Sequence, residues 1–472
     1  MVDIAGALGA SASQPPPLDT TFQPASVVGR AVRRGAVAEG GVPVRIAIER
    51  ADGSVSLYET IAFAPGSPRF ALNLPYIERV VKFLLWQRGG WRVFVGGPEP
   101  IGEHVRALYR AGGERAFDAD FMGSVFEHPF TVEVVGADAV PVERETSMPL
   151  GRHLDGCRVG FDLGASDRKA SAVVDGEAVF SEEVVWDPRG ESDPEYHYQG
   201  VMDSIRRAAA HLPRLDAVGG SAAGVYIGNR VRVASLFRGI PRDMFEARIA
   251  DMFLRIRDAL GVPLEVVNDG EVTALAGSMS LGANPVLGLA MGSSQAAGYV
   301  NRAGNITGWL NELAFAPIDY RPGAPIDEWS GDAGCGVQYF SQVGAIRVAE
   351  GAGLRFGEGL TLPQKLEELQ SRMAGGEPTV IQVYETLGTY LGYAMAHYAE
   401  FYDLAHVLVL GRVTSGRGGE VIVDACNRVL AREFPEVAER VCVALPDEKS
   451  RRVGQSIAAA SLPSLGGSPA RA

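Results

Sequence analysis

At 472 residues the chain exceeds what one ordinary core supports, since domains cluster at ~100–200 residues, and several lobes are expected. Hydrophobic residues make up 46% and charged residues 21%, a globular balance that excludes global disorder and a fibrous architecture. A formal charge of -13 leaves no broad positive field to neutralise a phosphate backbone, so no nucleic-acid partner is expected.

Residues 1–25, rich in Ala, Ser, Pro and Gly, read as a disordered tail, because such a segment buries too little surface to offset its ordering entropy. The acidic Asp3 and the short apolar run after it do not suit a signal peptide, and no stretch reaches the ~18 apolar residues of a membrane helix. Cys157, Cys335, Cys426 and Cys442 lie far apart, without the spacing of a disulfide framework. A cytoplasmic protein with no membrane partner is the expectation.

Residues 26–150 read as an accessory α+β region of unknown role. VPVRIAIER and SVSLYETIAF flank Asp52-Gly53, a hairpin signal. Ile77, Val80, Val81, Leu84 and Leu85 recur at helical spacing, and Gly89-Gly90 stops that helix before the strand-like WRVFVGG. A β run after the strong helix leaves no helix-turn-helix pair.

From Cys157 the texture changes to alternating strands and helices: CRVGFDLG, RKASAVVDG and AVFSEEVVW as strands, a helix around Val201–Leu212, then LDAVGGSAAGVYI and PLEVVNDG. VLGLAMGSSQAAGYVNRAG then repeats the strand, Gly-containing loop, strand and turn of CRVGFDLGASDRKASAVVDG, as two similar lobes would.

Three places carry candidate chemistry. In GFDLGASDRK, backbone N–H groups of Gly164, Ala165 and Ser166 can face phosphoryl oxygens, Asp162 can hold hydrated Mg²⁺ and Lys169 adds positive charge; an ordinary hairpin turn fits the same residues equally well. Gly292, Ser293 and Ser294 end the equivalent strand of the repeat, where two matching hairpins would clamp one phosphate chain. In LEVVNDGEVTALAG, Asn268-Asp269-Gly270 read alone is a turn and N-cap, while Asp269 could also take a proton from a substrate hydroxyl.

The order of these motifs over roughly residues 157–460 resembles the ROK family of sugar kinases and repressors, within the superfamily of actin, hexokinase and Hsp70. The resemblance implies an α/β, duplicated actin-like ATPase (ribonuclease H-like) two-lobe fold with an extra N-terminal α+β region. Its lobes would be residues 151–284 and 285–446, with a helix at 447–462 returning to the first lobe and a disordered tail at 463–472. It implies ATP and Mg²⁺ as cofactors, held by Asp162 with Gly164, Ser166 and Lys169, by Gly292, Ser293 and Ser294, and by a late turn at Gly411, Thr414, Ser415 and Gly416. Asp269 would be the catalytic base, and Asn268 and Glu312 would bind a sugar or polyol substrate. A homo-oligomer is also compatible.

Two departures stand out. NELAF places Phe315 where the family carries a histidine after its sugar-binding Glu, and SGDAGCGVQYFSQ, where a cysteine-rich zinc loop would lie, offers only Cys335. One thiol cannot build a tetrahedral site, so no zinc is expected. Trp329, Tyr339 and Phe340 beside that loop are assigned to packing.

Overall fold

Period-two apolar runs and glycine turns set out the strands in the computed structural model, which describes residues 2–148, 150–446 and 448–466. Helices α1 (Ile4–Leu8) and α2 (Ala25–Ala38) precede a hairpin of β1 (Val42–Glu49) and β2 (Val55–Ala62). Its turn closes as the Asp-Gly pair demands: Asp52 Oδ1 accepts from the N–H and hydroxyl of Ser54 at 2.9 and 2.6 Å, and Gly53 takes φ +78°. Helix α3 (Asn73–Arg88) is buried on nearly every side and stops at Gly89. Then come β3 (Arg92–Gly96), α4 (Glu99–Tyr109), α5 (Ala116–Phe126) and β4 (Thr131–Val135). These four strands form one sheet of order β2-β1-β3-β4, parallel only between β3 and β4, which the two helices link as a crossover.

After the short β5 (Ser147–Met148) come β6 (Cys157–Leu163), β7 (Asp167–Val174), β8 (Glu177–Val185), α6 (Pro194–Ala209), β9 (Ala217–Ala222), the small hairpin β10 (Val225–Ile227) and β11 (Arg230–Val233), α7 (Arg242–Met244), α8 (Met252–Leu260), β12 (Leu264–Asn268) and α9 (Asp269–Leu281). The second half follows with β13 (Val286–Met291), β14 (Gln295–Val300), β15 (Ile306–Thr307), α10 (Gln342–Gly351), α11 (Leu362–Ala374), α12 (Pro378–Tyr398), β16 (His406–Leu410), α13 (Arg417–Glu433), α14 (Pro435–Ala438), β17 (Cys442–Ala444) and α15 (Glu448–Ala460). The sheets run β12-β9-β6-β7-β8 and β17-β16-β13-β14-β15-β5. Taking the main strands of each half in sequence order, both read fifth, fourth, first, second, third, so the duplication heard in the hairpin motifs extends to the whole sheet topology.

The chain divides into two compact units: one comprises the chain through Thr146 with Leu289–Ala296 and Trp309–Leu445, the other Ser147–Gly288, Ala297–Gly308 and the chain from Pro446. In the second, α6 and α8 cover one sheet face through Val201, Ile205, Phe253 and Ile256, while Ala458 and Ala459 of α15 pack with Leu275 of α9. The approach of α15 is close enough to require glycine: a Cβ at Gly160 would collide with the Ser456 carbonyl, and one at Gly219 with that of Ala459.

Of residues 26–150, expected as an accessory region, 26–146 share their unit with most of the second half and the rest fall in the other unit. Of the expected loose segment 1–25, the described residues form a folded strap. Phe22 is buried with its ring 4.7 Å from that of Tyr390, Asp19 pairs with Arg321 at 2.5 Å and accepts from Tyr390 Oη at 2.7 Å, and Ala25 N–H donates to Ile318 O. Its own composition is poor in apolar area, but a ready-made aromatic wall supplies the burial that the segment lacks by itself. Of the tail at 463–472, Pro463 O accepts from Arg158 Nη1 at 2.6 Å, and 467–472 lie outside the described residues.

Candidate functional site

Register carries the first group of candidates. In the antiparallel β6–β7 pair Asp162 stands opposite Lys169, and Gly164 N–H donates to Asp167 O at 2.9 Å, closing a turn over Ala165 and the exposed Ser166. Trp186 Nε1 donates to Gly164 O at 2.9 Å and pins that turn from the outside. Lys169 Nζ pairs at 3.5 Å with Asp167 and at 3.8 Å with Glu183. Beside β6 in parallel register lies β9, which sets Ser221 against Asp162, and Ser221 Oγ donates to Asp162 Oδ1 at 2.6 Å. Burial raises the Asp162 carboxyl above its ordinary range, against the opposing pull of Ser221 and Lys169.

Strand β12 delivers Asn268 and Asp269 in the same unit. Asn268 caps α9, its Oδ1 accepting from Gly270 N–H at 2.7 Å, while its Nδ2 donates to Gly224 O at 2.7 Å. The structure has the turn and cap, and the cap fixes Asp269 as the first residue of the helix. Part of Asp269 reaches solvent, but its carboxyl is enclosed, and burial, with the charge of Asp162 added, pushes it up to about 6 against the Gly270 N–H. Gly270 itself has no room for a side chain because the Ala297 carbonyl crowds it.

The remaining candidates belong to the other unit. Gly292 N–H donates to Ser294 O at 2.9 Å at the tip of the β13–β14 hairpin, its carbonyl accepts from Gln342 N–H at 2.8 Å, and Ser293 and Ser294 are exposed. Gly411, at φ +101°, leaves β16 against Met291, whose backbone a Cβ there would meet, so the late turn and the hairpin tip are neighbours. Thr414 Oγ1 donates to Gly411 O at 2.9 Å, and exposed Ser415 and Gly416 lead into α13 with Gly416 at φ +68°. Glu312 opens a 3₁₀ turn over Leu313–Phe315 and donates its N–H to Trp86 O at 2.9 Å. Phe315, where an imidazole would complete the family pattern, packs its ring 4.4 Å from Trp86 and 5.9 Å from Phe117.

Hard carboxylate oxygens of the kind Mg²⁺ takes stand at Asp162, whereas the carboxylate beside Cys335 is already engaged by cations. Asp162 beside Asp269 is a hard-oxygen pair whose mutual repulsion a divalent cation would relieve. Cys335 Sγ lies 3.8 Å from Asp332 Oδ2, but that carboxylate is already neutralised by Arg79 at 2.8 Å, Arg115 at 2.8 Å and Lys82 at 3.2 Å. Burial pushes the Cys335 thiol up to about 12, so it is no ready thiolate ligand. Glu78 completes this buried cluster, bonding Arg79 and Arg115 at 2.6 Å each, and Asp118 holds Lys82 at 2.9 Å. Tyr339 and Phe340 are buried as expected, whereas Trp329 is 72% exposed. Sequence reading missed Ser221, whose only signal is a small polar residue at the end of an apolar strand, and missed the ion cluster, whose members are scattered from 78 to 332.

No family model and no curated protein matches the sequence. Solved structures match its fold. The ROK hexokinase from Thermus thermophilus is 21% identical with a TM-score of 0.50, over 64% of this chain and 97% of that one. A ROK family transcriptional regulator, a homologue of the E. coli MLC protein, is 17% identical with a TM-score of 0.51, over 65% and 78%. The chain thus carries the two-lobe actin-like fold. Within that class it shares its fold with ROK-family proteins, kinase and regulator alike.

Proposed function

We propose that the chain is an ATP- and Mg²⁺-dependent phosphotransferase acting on a hydroxyl of a sugar or sugar-like polyol. The observation that carries this reading is the placement of Asp269 at the head of α9, fixed by the Asn268 cap, with its carboxyl enclosed and raised by burial and by the charge of Asp162. A base poised near neutrality suits removal of a hydroxyl proton. Asn268 and Glu312 bind substrate hydroxyls; Gly164, Ser166, Lys169, Gly292, Ser293 and Ser294 bind phosphates; Gly411, Thr414, Ser415 and Gly416 receive the adenosine; and Asp162 holds the metal through water. Bound Mg²⁺ would supply charge neutralisation for the transferring phosphoryl group. The ion cluster around Asp332 lies in the segment where the resemblance would put a zinc loop.

A second reading is a sugar- or nucleotide-responsive regulator without turnover. The fold shared with a transcriptional regulator and the aromatic packing of Phe315 in place of an imidazole favour it. Against a DNA-reading version stand the net charge of -13 and the mixed sheet with a crossover in the N-terminal region, where a winged helix-turn-helix would place a helix pair and a wing. Sugar-dependent ADP release across a panel of sugars decides: turnover with any of them establishes the kinase, while sugar binding without turnover establishes the regulator.

A further inference from the structure

The end of α3 is an unusual place for a long polar and charged bracket, because the helix is buried nearly all round. Its last carbonyls have no partner within the helix and must find donors elsewhere. They find them in the Glu312 segment: Trp86 O accepts from Glu312 N–H at 2.9 Å, Gln87 O from Asn311 N–H at 2.9 Å and Arg88 O from Leu310 N–H at 3.2 Å. The helix end is itself locked. Trp86 Nε1 donates to Asp118 Oδ1 at 2.9 Å, and Asp118 also grips Lys82 one turn earlier through both oxygens at 2.9 Å. Lys82 and Arg79 reach Asp332, and Arg88 lies over the Trp309 ring with its Cζ 3.4 Å from the centroid. The Trp86 ring also packs against Phe315, with centroids 4.4 Å apart.

We propose that the N-terminal region has a task in substrate recognition: Trp86, fixed by Asp118 and Lys82, is a positioning residue that sets the backbone of Glu312, so that α3 determines affinity for the sugar. The proposal rests on the reading of Glu312 as a sugar ligand. Three successive backbone bonds define the segment's register against the helix end, and the indole bond to a buried carboxylate defines the helix end's rotation. A change at Trp86 therefore reaches Glu312 through covalent backbone and one hydrogen bond, without touching substrate.

Trp86→Phe keeps an aromatic ring against Phe315 and removes the donor to Asp118; Asp118→Asn keeps an acceptor for the indole and removes the charge facing Lys82. Two measurements on the full chain test the proposal: amide hydrogen exchange over 310–313, and the affinities for the sugar found by the panel and for ADP with Mg²⁺. Exchange at 310–313 is expected to quicken selectively in Trp86→Phe, with sugar affinity falling about tenfold, the loss expected for one hydrogen bond to a charged group, and nucleotide affinity unchanged. Unchanged exchange at 310–313 in the folded Trp86→Phe variant overturns the proposal, as does a rise spread over the whole chain with both affinities falling together. If exchange quickens selectively while the parent binds no sugar, the positioning stands and the assignment of Glu312 as a sugar ligand fails instead. Should Asp118→Asn not fold, the Trp86→Phe results decide.

Discussion

Ser221 Oγ donates a 2.6 Å hydrogen bond to Asp162 Oδ1, and the parallel register of β9 against β6 brings the two together. It holds one oxygen of the carboxylate proposed above to bind hydrated Mg²⁺. Ser221→Ala is expected to raise the Mg²⁺ concentration needed for nucleotide binding by about tenfold or more, since a hydrogen bond to a charged group contributes ~1.5–3 kcal/mol. Calorimetric titration of ADP at several Mg²⁺ concentrations measures it.

Asp269→Asn keeps side-chain size and the position at the head of α9 but loses the carboxylate. Turnover is expected to fall by ~10² to 10⁴, with sugar and nucleotide binding retained. Unchanged turnover in this variant would remove Asp269 as the base.

The pH profile follows from the same residue. Its carboxyl, raised to about 6, acts as a base only when ionised, so kcat/KM should rise about tenfold per pH unit below 6 and level off above it. A profile flat down to pH 4.5 would count against the assignment.

The ion cluster makes two predictions about stability. Asp332→Asn leaves Arg79, Arg115 and Lys82 short of a buried counter-charge, and such a break costs ~3–5 kcal/mol. The neighbouring cations also hold Glu78 and Asp332 below the usual carboxylate range despite burial. Folded pKa values lower than unfolded ones mean that this contribution is full above pH ~4 and is lost as pH falls through the folded values. Urea unfolding at pH 7, 5 and 3 should show the gap in midpoint between wild type and Asp332→Asn narrowing at pH 3, and a gap of the same size at all three pH values would contradict it.

Gly219→Ala places a methyl group against the Ala459 carbonyl. Overpacking of this kind costs ~1–3 kcal/mol, and α15 should become the first segment cut in limited proteolysis. An unaltered digestion pattern would show that the helix can shift to accommodate the methyl.

Period-two runs and glycine turns in the sequence determined the strands β1, β2 and β6 to β8, the hairpin at Asp52-Gly53 and the two matching hairpins, because these signals are local. Helix α3 was legible from its apolar spacing for the same reason. The placement of Asn268 and Asp269 at a strand end was likewise readable, since Asn-Asp-Gly after an apolar run is a local cap signal. Only the tertiary structure decided the rest. The strap at residues 3–24 folds because Tyr390 and Arg321, hundreds of positions away, complete its burial and its ion pair. The charged neighbours of Asp332 come from α3 and from Arg115, which precedes α5, and nothing in their spacing marks them as partners. The raised carboxyl of Asp269 is a property of enclosure and of a neighbouring charge on another strand, and neither is encoded by the residues beside it. Local pattern fixes backbone conformation; long-range packing fixes dielectric and counter-charge, and those decide what a side chain can do.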